Sequence, residues 1–201
     1  MTKRERFVLT AVLCDCGVLR GDIPKILSYF EDTGRIYGTM LKQIESLRDH
    51  FLNRGYDKES LSKIMSDPRL YDHSVKKIIN SEDVLRSNGY TDDEIKQVEV
   101  VGSSMFGHDK DTLDKKILFY NDVGIKNLIV RNSRNLIQGL SLSYARVHFL
   151  QDRNSFNNDA ERMKTFCTRE RFAYEFSVSN ELLLNRYPIT EERYLVKKRG
   201  N

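Results

Sequence analysis

Seven cations between residues 115 and 153 carry the most suggestive chemistry in this sequence: Lys115, Lys116, Lys126, Arg131, Arg134, Arg146 and Arg153, set against only Asp122 and Asp152. Ammonium and guanidinium groups at that density suit contacts to phosphates, with binding that weakens as salt rises because counterions are displaced. These seven are the candidate nucleic-acid-binding residues, and Arg131 and Arg134 flank a turn where neighbouring structural units can line one face. Other constellations are thin. Cys14, Cys16 and Cys167 form neither a disulfide framework nor the paired ligand sets of a structural zinc site, and they read as reduced thiols. His50, His73, His108 and His148 show no H-x-x-x-H spacing. Paired acids such as Glu82-Asp83, Asp92-Asp93 and Glu191-Glu192 suit helix starts and exposed faces. G-x-S-x-G, P-loop, H-E-x-x-H and C-x-x-C motifs are all missing. No catalytic residue, metal ligand or cofactor is therefore assigned, and a non-enzymatic protein is expected.

The net charge of +4 on 201 residues, from 33 basic and 29 acidic side chains, conceals a polarity. Residues 1–114 hold 17 basic and 20 acidic side chains, net −3, while residues 115–201 hold 16 and 9, net +7. Lys197-Lys198-Arg199 extends the basic end. Phe172, Tyr174 and Phe176 alternate with Arg169 and Arg171, a spacing that suits terminal core better than base stacking.

The elements that must position these cations are helical. A chain with 39% hydrophobic residues can bury a core, while eleven glycines and three prolines are too few for the frequent turns of a β-sandwich. No apolar run approaches the ~18 residues of a membrane span, and the N-terminus resembles neither a secretory signal nor a transit peptide. A cytoplasmic protein with no membrane partner is the expectation.

Repetition organises the helices. Gly55-Tyr56-Asp57-Lys58-Glu59-Ser60-Leu61 and Gly89-Tyr90-Thr91-Asp92-Asp93-Glu94-Ile95 share a glycine, an aromatic and a helix cap at an offset of 34 residues (89 minus 55). Gly17, Gly124 and Asn154 extend the series, and a large apolar residue stands four positions before each: Leu13, Phe51, Leu85, Tyr120 and Leu150. Helices that end on a left-handed residue produce that pattern. After each glycine comes a short capped helix, with Thr91 to Glu94 forming a capping box. It breaks at 67–71, 102–106 or 132–137, each break ending in two apolar residues, and long helices follow at about 73–87, 112–123 and 142–153. The reading is all-α, a right-handed stack of short helical repeats (an α-solenoid) with atypical capping helices at both ends. One domain spans 1–201: an N-terminal cap and first repeat (1–54), the clearest repeats (55–154) and a C-terminal cap (155–201). In that cap one helix is expected near 159–166, a long one near 169–186 and a last one after Thr190. An ordinary helical bundle leaves the ten-residue segment shared by Gly55–Ile64 and Gly89–Val98 unexplained.

Leu52-x-x-Gly55-Tyr56 through Asp67-Pro68-Arg69-Leu70-Tyr71 resembles the repeat of the mitochondrial transcription termination factor (mTERF) family, as does Ile117-Leu118-Phe119-Tyr120 through Leu150. The resemblance covers roughly residues 43–154, and Ser103 and Ser133 stand where the family's turn has proline. It implies two helices and a 3₁₀ turn per repeat, a curved solenoid, and nucleic acid (DNA or RNA) bound along a basic concave face in transcription or its termination. The alternative is a protein-interaction module or inhibitor that uses the same surface to hold a protein partner, including one that itself binds nucleic acid.

Overall fold

The computed structural model describes residues 1–195. Twelve α-helices and several 3₁₀ turns make up these residues, and no strand occurs among them. The helices are α1 (Lys3–Asp15), α2 (Ile23–Asp32), α3 (Tyr37–Asn53), α4 (Lys58–Met65), α5 (Val75–Ser87) and α6 (Asp92–Val101), then α7 (Lys110–Asp122), α8 (Lys126–Arg131), α9 (Leu140–Asp152), α10 (Asp159–Arg162), α11 (Arg169–Phe176) and α12 (Asn180–Arg186). Among the described residues no helix is long and apolar enough to cross a membrane.

Capping side chains set the starts. The Thr91 hydroxyl accepts from the Glu94 amide and the Glu94 carboxylate accepts from the Thr91 amide, as expected, and Asp57 caps α4 through the amide of Ser60. Long helices end on a left-handed residue at Gly17, Gly55, Gly89, Gly124 and Asn154, and α2 ends the same way at Gly34. At each end the amide following that residue donates to the carbonyl four positions before it, at Leu13, Phe51, Leu85, Tyr120 and Leu150. This is the six-to-one bond of a Schellman cap, and it explains why those five positions are apolar. All five side chains are fully buried.

Like elements pack on like: α4 against α6 and α6 against α8, while α3, α5, α7 and α9 form a second series. Between the series, the 3₁₀ turns Pro68–Asp72, Ser103–Gly107 and Ser133–Ile137 stack one on the next. The serines that open the second and third turns, where the first has Pro68, hold these turns together. Ser103 Oγ donates to Asp67 Oδ2 at 2.7 Å, and Ser133 Oγ donates to Gly102 O at 3.3 Å. One continuous apolar core runs from Leu9 to Tyr194.

Three expectations need correction. The third turn buries Asn135 and Leu136, as the first buries Leu70 and Tyr71 and the second Met105 and Phe106; Ile137 falls one position later and stays 56% exposed. Helix α9 starts at Leu140 with Gly139 at its cap, so Ser141 lies inside the helix. The C-terminal cap is more broken than the pattern implied. Residues 159–166 form α10 and a 3₁₀ turn, Met163–Phe166, so the short-helix-and-turn unit recurs there. The long helix divides at Ser177, a left-handed residue with φ of 52°, and among the described residues Thr190 is followed by a 3₁₀ turn, Glu192–Tyr194, and no α-helix.

Candidate nucleic-acid interface

Because each short helix runs into a 3₁₀ turn and each long helix begins just after it, the stacked turns form one edge of the molecule. A cleft of about 850 Å³ opens along this edge, from Leu19, Lys25 and Tyr29 at one end to Arg134 and Ile137 at the other. A second cleft, of about 450 Å³, begins at the same Arg134 and Ile137 and reaches Thr168 and Arg169. The basic side chains lining the two are Lys25, Lys63, Arg69, Arg134 and Arg169. Lys63 is paired with Glu59 at 2.6 Å. The other four are exposed and, among the described residues, none has an ion-pair partner. Of the acids in the cleft, Asp67 is engaged by the Arg69 amide at 3.0 Å and by Ser103.

Of the seven cations singled out in the sequence, the structure places one in this cleft, Arg134. Two are interior, a correction to their reading as surface groups. Arg146 is 0% exposed; its guanidinium donates to Thr165 O at 3.0 Å, Cys167 O at 2.7 Å, Gln138 Oε1 at 3.2 Å and Asn180 Oδ1 at 3.1 Å, and lies over the Phe172 ring. Lys116 is 2% exposed and donates to Leu136 O at 2.7 Å and to His108 Nε2 at 3.1 Å. Burial holds the Lys116 ammonium down to about 8, and burial with the nearby Lys116 charge holds His108 below the ordinary histidine range. Both cations sit seven positions after their helix cap, where α5 carries Ser81, which is likewise buried.

Lys126 joins adjacent units. Its ammonium donates to Gly89 O at 2.9 Å and Glu94 Oε2 at 2.8 Å and lies 4.5 Å from the centroid of the Tyr90 ring. The same contact recurs on both sides: Lys96 reaches Gly55 O at 3.5 Å over Tyr56, and Arg162 reaches Gly124 O at 3.1 Å. A cation of α6, α8 and α10 therefore caps the carbonyl end of the long helix one unit earlier, α3, α5 and α7 in turn, where the helix dipole favours positive charge. This gives the repeated Gly-Tyr pair a second purpose, as the docking point for the next unit. Lys115 donates to Leu195 O and stands 3.7 Å from Asp111. Arg131 is exposed, paired with Asp159 at 3.2 Å, and Arg153 is exposed beside the Phe149 ring. Lys197, Lys198 and Arg199 lie outside the described residues.

A second charged cluster is interior. Arg54 Nη1 donates at 2.7 Å to both Glu82 Oε1 and Glu99 Oε2; His50 Nε2 is 2.8 Å from Glu82 Oε1, and the Tyr56 hydroxyl donates to Glu99 Oε2. Burial raises the Glu99 carboxyl to about 8 in spite of the Arg54 charge. At Glu82, burial is outweighed by the His50 hydrogen bond and the Arg54 charge, which hold that carboxyl below its ordinary value.

The residues that sequence reasoning missed, Lys25, Lys63, Arg69 and Arg169, are dispersed along the chain. One signal was available: Arg69 and Arg134 both occupy the second position of a 3₁₀ turn. Neither a protein-family model nor a curated protein matches this chain.

Proposed function

We propose that the protein is a non-enzymatic helical-repeat protein, an α-solenoid similar to mTERF repeats, that binds nucleic acid along the edge built from its 3₁₀ turns and serves transcription or its regulation. The observation that carries this reading is the run of four cations without ion-pair partners, Lys25, Arg69, Arg134 and Arg169, along two clefts that share Arg134 and Ile137. A buried or paired cation is already spent on its protein partner, whereas an unpaired one in a concave surface raises the local concentration of a polyanion. Helices α9 and α11 also begin at the second cleft, through Gly139 and Thr168, and their positive dipole ends add to the same field. Arg153, exposed beside the Phe149 ring, enters as a peripheral contact, while Arg131 is held by Asp159.

The test is affinity for DNA and RNA at two salt concentrations. Binding is expected at low salt with a steep loss as salt rises, and Arg69→Ala with Arg134→Ala reduces the log–log slope by roughly 0.7 to 0.9 for each phosphate no longer neutralised. Absence of binding at low salt, or a slope unchanged in the double variant, refutes the reading. Leu19 and Ile137, exposed in the cleft, favour a second reading, a protein partner held there. A stoichiometric complex that survives nuclease and high salt is its signature.

A further inference from the structure

We infer that the cleft takes an unpaired nucleic-acid strand in preference to a duplex; the inference rests on the reading of this edge as a nucleic-acid interface and adds which form of the polymer fits it. Cations alone do not separate the two forms, because both carry phosphates. The apolar part of the cleft does. Leu19 is 66% exposed and Ile137 56%, and they stand at opposite ends of the larger cleft. Ile137 occupies the fifth position of its turn, one beyond the buried pair, where the other turns carry Asp72 and Gly107. Packing in the core therefore does not call for an isoleucine there. Tyr29 lines the same wall with its hydroxyl held by Asp72.

Arg69 and Arg134 lie among these apolar side chains, so the cleft presents cations and apolar platforms together. A duplex offers phosphates and sugars to a groove wall and keeps its base faces stacked inside. An unpaired strand exposes those faces, which stack on aromatic side chains such as Tyr29 and bury against exposed aliphatic ones without a sequence code. Scale agrees: about 850 Å³ is the size of a pocket that encloses a small ligand, room for a few splayed nucleotides. In this arrangement Lys25, Arg69 and Arg134 meet the phosphates, and Leu19, Tyr29 and Ile137 meet the bases.

Fluorescence anisotropy with labelled oligo(U) RNA, oligo(dT) DNA and a dA·dT duplex of equal length, in one buffer, tests this on the full chain. Either single strand is expected to bind about 10-fold or more tightly than the duplex, and Leu19→Ser with Ile137→Ser lowers single-strand affinity about 10-fold, the scale of stacking on a single base. That variant leaves the salt slope unchanged, because it removes no charge. Both residues are exposed, so the fold is expected to survive, and circular dichroism checks it. Ile137→Tyr, which enlarges the platform, is expected to tighten single-strand binding. Duplex affinity equal to or above that of the single strands, or full single-strand affinity in the serine variant, overturns the inference while leaving the nucleic-acid reading standing. Binding of no probe at low salt refutes that reading itself.

Discussion

The two halves of the molecule bury charge in opposite ways. In the N-terminal half, Arg54 sits between the carboxylates of Glu82 and Glu99, and the neutralisation is side chain to side chain. In the C-terminal half, Lys116 and Arg146 are buried without a carboxylate and donate hydrogen bonds to main-chain carbonyls in and beside the 3₁₀ turns, at Leu136, Thr165 and Cys167. The first arrangement cancels formal charge inside the protein; the second leaves it uncancelled. The difference shows that an excess of cations in a sequence segment is not a measure of its surface. Part of the +7 in residues 115–201 is internal, holding turns to long helices, and part of the unpaired charge in the cleft comes from Lys25 and Arg69 in the half whose net charge is −3.

If that contrast is right, breaking each site has a different cost. Arg54→Met leaves the Glu82 carboxylate uncompensated and the Glu99 carboxyl without its donor, in a site where the Glu82 side chain is 5% exposed and that of Glu99 0%, and removing the shared partner of a buried ionic cluster costs roughly 3–5 kcal/mol. Urea denaturation would register this as the largest loss among the substitutions considered. Arg146→Met removes the donors to Thr165 O and Cys167 O, and hydrogen bonds from a charged donor are worth about 1.5–3 kcal/mol each. The methionine side chain still covers Phe172, so a net loss of about 3 kcal/mol is expected, below that of Arg54→Met.

Glu99→Gln sharpens the contrast through pH. The folded protein holds the Glu99 proton up to about 8, above the ordinary 4.5 for this group, so the folded state binds this proton more tightly than the unfolded chain. Stability from this group is then intact below pH 4.5, is lost as pH rises from 4.5 towards 8, and is level above that. Glutamine mimics the protonated acid and removes the slope. Thermal melts at about pH 5 and about pH 8 should converge in Glu99→Gln, with a gain over the native protein at the higher pH. A native protein equally stable at both pH values would contradict an uncharged Glu99 at neutral pH.

Much of the fold was legible because local chemistry and packing agree. The glycine series, the apolar residue four positions earlier and the Thr91–Glu94 box each encode one local hydrogen-bond pattern, and each forms. The C-terminal break at Ser177 was not legible, since a serine in the left-handed region has no strong sequence mark. The interface was legible only at Arg134. Burial of Lys116 and Arg146 depends on carbonyls 19 to 21 residues away that a linear pattern does not show. Lys126 looked free because its acceptor, Gly89 O, belongs to the preceding unit.

Lys116→Met is the smallest of these effects and the sharpest test of the contrast. Unlike Arg54, Lys116 has no carboxylate to strand; its acceptor Leu136 O also lies 2.8 Å from His108 Nε2, which can donate in the other tautomer once the ammonium is gone. Burial lowers the Lys116 ammonium from 10.5 to about 8, so the unfolded chain binds this proton more tightly than the folded one. The native protein therefore carries a cost below pH 8 that is relieved as pH rises from about 8 to 10.5, and methionine carries neither the cost nor the relief. Lys116→Met should lie within about 1 kcal/mol of the native protein near neutral pH, since an apolar group of similar shape replaces the buried charge without leaving an acceptor bare. It should also lack the rise in stability between pH 8 and 10.5. A loss as large as that of Arg146→Met would mean that the ammonium is held as firmly as the guanidinium, and that the two interior cations of this half work as one site rather than two.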